Sequence, residues 1–178
     1  MSYRNKVYVA FDGDSDIRYY NLMRAWKQND GMSFNFYDAH DINEARDSSQ
    51  EESIKRQLRE RLSNSKMFVL LVGEKTKDLR KFVPWEIDQA LKLQLPIIVV
   101  NLNGIRCLDR SLCPTVLYDK EAIHISFGAK ILEHALMNWS GQVNTILEQK
   151  ATQGSISGCS ISGQPYYYDD SVYDKLGG

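Results

Sequence analysis

Met67-Phe-Val-Leu-Leu-Val-Gly73 is a continuous apolar run without alternation, bounded by Lys66 before it and Glu74 after it. Strict alternation marks a strand with one wet face. Its absence over a stretch this short suits a strand covered on both faces, as the central strands of parallel sheets are. The run is therefore expected to lie in the middle of a sheet.

Upstream of it, residues 6–11 (Lys-Val-Tyr-Val-Ala-Phe) are β-branched and aromatic and end in the turn-prone Asp12-Gly13-Asp14-Ser15. From Asp16 the period changes: Tyr19, Leu22, Met23 and Trp26 fall at i, i+3, i+4 and i+7, the stripe of an amphipathic helix, which Asn29-Asp30-Gly31 stops. Residues 33–37 read as a second strand and the polar stretch 38–49 as a long loop. Ser48 and Glu51 have capping-box spacing before a second helix with Ile54, Leu58 and Leu62 on one face. Downstream, Pro84 fits only a first helical turn, and Val83, Ile87, Ala90 and Leu91 supply the stripe of a third helix ending near Leu95. Residues 96–102 form another apolar strand and residues 122–127 a weaker fifth. Ile131, Leu132, Leu136, Trp139, Val143 and Leu147 line a long last helix.

Strands alternating with helices through short links imply an α/β domain of three layers, a five-stranded parallel sheet with helices on both faces. Ligands of such sheets bind beyond the carboxyl ends of the strands, where strand order reverses. Those ends collect Phe11, Asp12, Asp38, Gly73, Glu74 and Asn101, with the start of the third helix, residues 82–86, close by.

The 178 residues, 43% of them apolar, suffice for one sizeable core, assigned to residues 1–150. In residues 151–178, Gly154-Ser-Ile-Ser-Gly158 is nearly repeated by Cys159-Ser-Ile-Ser-Gly163 and followed by Tyr166-Tyr-Tyr-Asp-Asp170. This composition predicts a flexible tail, with docking of its tyrosines onto the domain as the second reading. Lys and Arg total 22 against 23 Asp and Glu, so no nucleic-acid or acidic-membrane partner is expected. The N-terminus lacks the pattern of a secretory signal, and no apolar run approaches the roughly 20 residues of a membrane span. A cytoplasmic location is expected. Cys107, Cys113 and Cys159 are too irregularly spaced for a disulfide framework or a metal site and read as reduced thiols. His124 and His134 read as structural, while His40 falls in the loop.

No glycine-rich phosphate loop follows any strand, which removes the Rossmann and P-loop readings. Asp12 and Asp14 imitate the acidic pair of a phosphorylation receiver, but Gly73-Glu74 stands where the phosphoacceptor aspartate belongs. Three other segments carry a resemblance: Val7-Tyr-Val-Ala-Phe-Asp12 with Asp16-Ile-Arg18; Ile54-Lys-Arg-Gln-Leu58 leading through Leu62-Ser-Asn-Ser-Lys66 into the central run; and Phe82-Val-Pro-Trp-Glu86-Ile87. They resemble Toll/interleukin receptor (TIR) domains, specifically the TIR-like proteins of bacterial Thoeris antiphage systems. The resemblance implies a flavodoxin-like (TIR) fold and cleavage of NAD as a substrate, with no cofactor or metal. It further implies Glu86 as catalytic carboxylate, Phe11, Asp12, Asp38, Phe82 and Trp85 about the substrate, self-association through TIR contacts, and a signal read by a separate effector protein.

The chemistry of Glu86 is consistent with that role. Breaking the nicotinamide–ribose bond builds positive charge on the anomeric carbon, as glycoside cleavage does. A carboxylate fixed at low dielectric stabilises that charge strongly. The competing reading is a glutamate in a first helical turn serving the helix dipole, worth about 0.3–1 kcal/mol. Two other functions are carried forward: a non-catalytic TIR interaction module, favoured by Phe82 where the family usually has Trp and by Asp12 and Gly13 in place of basic residues, and a nucleoside deoxyribosyltransferase-like enzyme.

Overall fold

The computed structural model describes residues 6–30, 35–38, 51–153 and 165–177. Its elements are β1 (Lys6–Ala10), α1 (Ile17–Asp30), β2 (Asn35–Asp38), α2 (Glu51–Ser63), β3 (Ser65–Val72), α3 (Phe82–Lys92), β4 (Ile97–Asn101), β5 (Ala122–Ser126), α4 (Ala129–Gln153), β6 (Tyr166–Tyr167) and α5 (Asp170–Lys175). All pairings are parallel, in the order β2-β1-β3-β4-β5-β6. The five expected strands are present, each within two residues of its expected bounds.

β3 is the centre. It pairs with β1 on one side and β4 on the other, and its residues from Met67 to Val72 are at most 1% exposed. Side chains alternate between two cores. Val7, Val9, Met67, Val69 and Leu71 face α1 and α4, whereas Tyr8, Ala10, Phe68, Leu70 and Val72 face α2 and α3. In α1 the buried positions are Tyr20 and Met23, while Leu22 is 44% exposed, so the helix is turned from the expected stripe. The stacking of Tyr20 on Phe11 accompanies that turn, ring centroids 5.0 Å apart.

α3 stops by a Schellman arrangement. Leu95 N–H donates to the Ala90 carbonyl and Gln94 N–H to the Leu91 carbonyl, with Gln94 at φ 52° in the left-handed region and Pro96 just beyond. The turn delivers the chain directly into β4.

The expectation of a flexible tail is corrected for residues 165–177. β6 adds to the open edge of β5, Ile123 opposite Tyr166 and His124 opposite Tyr167. Tyr166, Tyr168 and Tyr173 are buried, and Tyr168 Oη donates to Gln142 Oε1 at 2.8 Å. Tyr173 Oη accepts the Ser126 N–H at 3.1 Å, and Arg106 lies over the Tyr173 ring while pairing with Asp170. An uncovered β5 would leave a row of unpaired backbone groups at the sheet edge, and this segment covers them. The expected boundary at residue 150 falls inside α4, which runs to Gln153. Cys159 and the Gly/Ser repeats lie outside the described residues.

His124 sits in β5 with no exposure, and neither ring nitrogen has a hydrogen-bond partner among the described residues. Burial pushes its pKa down from 6.5 to about 4. The unfolded chain therefore binds a proton across that window which the folded chain refuses, so stability is lost as pH falls from 6.5 towards 4. The shift corresponds to about 3 kcal/mol. Urea denaturation at pH 7 and pH 4.5 should show a smaller acid loss in His124→Leu than in the parent chain; equal losses would contradict the assignment.

Candidate active site

The fold brings Tyr8 and Glu86 together from adjacent layers, the sheet and the helices that cover one face of it. Tyr8 faces α3 because it alternates with Val7 and Val9 along β1. Glu86 shares the core-facing stripe of α3, the buried positions being Val83, Glu86, Ile87 and Ala90 at i, i+3, i+4 and i+7. A carboxylate thus occupies a position that the period reserves for an apolar side chain. It is 2% exposed, and Tyr8 Oη donates to Glu86 Oε1 at 2.6 Å. Such a short O–H···O contact is typical of a charge-assisted bond, and a partner of this kind offsets part of the cost of keeping a carboxylate dry. The dipole reading does not fit this geometry, since Glu86 is the fifth residue of α3 and the first turn carries no acidic residue.

Phe82 and Val83, one turn nearer the start of α3, form one wall of a cleft of about 260 Å³ at the carboxyl edge of the sheet. Leu79, Arg80 and Lys81 continue that wall, and residues 11–14 form the other. Of the expected site residues, Phe11, Asp12 and Phe82 meet here. Phe11 is only 6% exposed and stacked on Tyr20. The Asp12 carboxylate accepts the Asp14 N–H at 3.2 Å, tightening the β1–α1 loop. Trp85 does not line this cleft. Its ring faces α2, with the Arg59 guanidinium 5.6 Å and the Lys55 ammonium 6.0 Å from its centroid. Glu86 is not among the lining residues either; it lies on α3 one turn after Phe82 and Val83. Asp38 ends β2 opposite Val9; its side chain lies outside the described residues, as do His40 and Asp41. Tyr8, Arg80 and Lys81 were not anticipated. The Arg-Lys pair stood in the sequence directly before Phe82, whereas the role of Tyr8 depends on a contact 78 residues away.

A second cleft of about 260 Å³ opens between the start of α1 and the segments that follow β3 and β4, beside the β1/β3 reversal of strand order. Asp16 lies in its wall opposite Gly73. Burial, reinforced by Asp12, pushes the Asp16 pKa up from 3.8 to about 6. Asn101, at the end of β4, is taken up structurally, donating to the carbonyls of Ile105 and Cys107. Cys107 and Cys113 are free thiols, and burial pushes Cys113 up to about 12, far from a reactive thiolate. Among the described residues, no three acidic, His or Cys side chains are placed to hold a metal ion, and no helix is long and apolar enough to cross a membrane.

The family model for the TIR-like domain of Thoeris protein ThsB matches residues 8–106. The chain belongs to this family. The match spans β1 to the loop after β4 and so includes Tyr8, Glu86 and most residues of both clefts. Membership sets the chain within the Thoeris antiphage defence system, and the all-parallel sheet with helices on both faces is the α/β, flavodoxin-like architecture of TIR-type domains.

Two stability effects follow. Tyr8→Phe leaves Glu86 buried without its phenolic partner and should cost about 1–3 kcal/mol in chemical denaturation at pH 7; an unchanged midpoint would show that the contact carries no weight. The raised Asp16 pKa means that the folded state holds a proton that the unfolded chain has already released, so this group destabilises the fold as pH rises from 3.8 through about 6. Asp16→Asn should therefore raise the melting temperature at pH 7.5 and have little effect at pH 4. A lower melting temperature at pH 7.5 would contradict this.

Proposed function

We propose that this chain cleaves NAD at the nicotinamide–ribose bond, with Glu86 as the carboxylate that stabilises the sugar cation, and that the ADP-ribose-derived product is a signal read by a separate effector protein. The observation that carries the reading is the buried Glu86 carboxylate, bonded to Tyr8 and one helical turn along α3 from the cleft residues Phe82 and Val83, in a chain of the Thoeris TIR-like family.

In the reaction, the bond between ribose C1′ and the pyridinium nitrogen breaks and its electron pair goes to the ring, which leaves as neutral nicotinamide. The ribose is left as an oxocarbenium ion. Water, or a hydroxyl of the ADP-ribose itself, adds to C1′ and loses a proton. Glu86 acts through charge, because a carboxylate in a dry, preorganised setting stabilises a neighbouring cation far better than one in water. Tyr8 holds that carboxylate in place. Arg80 and Lys81, on the cleft wall, supply the positive charge for the pyrophosphate that the β1–α1 loop, with Asp12 and Gly13, lacks. The cleft volume suits a nucleoside-sized group, so the rest of the dinucleotide extends beyond it.

Because Glu86 is 2% exposed and does not line the cleft, a local rearrangement must open a path for substrate to reach the carboxylate. Turnover is accordingly expected to be low in the resting chain and to rise on an infection cue or self-association. The same shielding favours the second reading, a non-catalytic interaction module, in which Glu86 and Tyr8 only tie α3 to β1. The deoxyribosyltransferase-like alternative differs in substrate, exchanging bases on nucleosides and ignoring NAD.

Nicotinamide release from NAD, followed by mass spectrometry with and without activation and alongside a nucleoside panel, separates the three. The enzymatic reading expects release, and a loss of roughly 10²–10³-fold in Glu86→Gln with little change in melting temperature. Equal turnover by Glu86→Gln would remove the mechanism. Release under no condition would leave the interaction module.

A further inference from the structure

Asp16 precedes α1, the position at which an aspartate side chain ordinarily accepts a hydrogen bond from the first turn of the helix. Here it does not: its carboxylate is turned across to β3, the residue is 5% exposed, and Oδ2 has no hydrogen-bond partner among the described residues. The turn is permitted by Gly73, since a Cβ at that position would lie 2.4 Å from Oδ2 and 2.5 Å from Oδ1. A buried carboxylate oxygen left without a hydrogen bond is costly.

The surroundings define what would satisfy it. An ionised carboxylate only accepts hydrogen bonds, so its partner must donate them. A metal ion is disfavoured, because no set of three ligating side chains converges among the described residues. Arg18 and Lys75 line the same cleft, as does Glu74, and the Arg18 guanidinium lies over the Tyr19 ring and donates to Tyr19 Oη at 3.3 Å. The cleft also lies beside the β1/β3 reversal, the position at which doubly wound sheets take nucleotides, and an acidic side chain gripping ribose hydroxyls is a recurring device of such folds.

We propose that this cleft is a second ligand site that takes the ribose phosphate of a nucleotide, with Asp16 accepting hydrogen bonds from the vicinal ribose hydroxyls and Arg18 and Lys75 facing the phosphate. The site is separate from the cleft lined by Phe82 and Val83 and stands whether or not Glu86 cleaves NAD. The charged groups acting on Asp16 are Asp12 and Glu74, which oppose its ionisation, and Arg18 and Lys75, which favour it. Recognition of the diol should therefore weaken as pH falls below about 6, where Asp16 becomes protonated.

The test is titration calorimetry on the full chain with AMP, adenosine and 2′,3′-dideoxy-AMP, repeated with Glu86→Gln so that catalysis plays no part. AMP should bind roughly tenfold or more tightly than the dideoxy analogue at pH 7.5, and the gap should close at pH 5. Asp16→Asn should reduce AMP to the affinity of the dideoxy compound while remaining folded. Lys75→Ala should weaken AMP and leave adenosine unchanged. Binding of AMP by itself assigns the site to a free nucleotide; binding of NAD to Glu86→Gln with the same dependence on Asp16, but not of AMP, assigns it to the adenylate half of the substrate. Equal affinities for AMP and dideoxy-AMP, an Asp16→Asn variant that binds like the parent, or no binding of either nucleotide would overturn the site.

Discussion

Burial of β3 on both faces is the constraint on which the rest of the structure depends. A strand with no polar face can be covered only if helices lie above and below the sheet, and parallel connections of right-handed sense put them there. α1 and α4 cover one side and α2 and α3 the other, so the path of the chain must reverse at the centre, between β1 and β3. That reversal opens the sheet edge into two clefts, divided by the β1–α1 loop. Residues 11–14 face α3 and residues 15–19 face the end of β3. Both clefts therefore sit where the packing of the most apolar strand leaves space.

Glu86, Asp16 and His124, three of the buried ionisable side chains, are each accommodated differently. Glu86 has a phenol partner at 2.6 Å, Asp16 has an unmet oxygen and a raised pKa, and His124 stays neutral with no partner for either nitrogen. A fold selected for stability alone would favour apolar residues of similar size at all three positions. Asp16 lines a cleft at the carboxyl edge and Glu86 lies one helical turn along α3 from cleft-lining Phe82 and Val83, whereas His124 lies in the body of β5. Perturbed or costly groups cluster at functional sites, and this position is what makes the two carboxylates, and not the histidine, the candidates.

Much of the fold was legible in the sequence because period and punctuation report burial directly. The unbroken Met67–Val72 run, the stripe of α3 and the Pro96 stop each correspond to an observed element. What escaped was contact between distant segments. The two-residue β6 has no period to read, and its role follows only from the open edge of β5 beside it. Leu22 fitted the helical stripe of α1 but faces solvent, because Tyr20 packs on Phe11 instead. At the candidate site, Phe11, Asp12 and Phe82 were named and share a cleft, whereas Trp85 belongs to the contact between α2 and α3. Glu86 was named for its motif. Its partner Tyr8 looked like one more aromatic in a strand, since nothing local marks a residue whose bond spans 78 positions.

The central claim is that Glu86 is the group beside which the sugar cation forms, and the structure of Glu86→Gln crystallised with NAD addresses it most directly. The nicotinamide ribose is expected to sit with C1′ within roughly 4 Å of the residue 86 side chain, with Tyr8 still bonded to it. NAD bound with its nicotinamide ribose away from residue 86, while that side chain stays buried, would contradict the claim and leave Glu86 as a structural tie between α3 and β1.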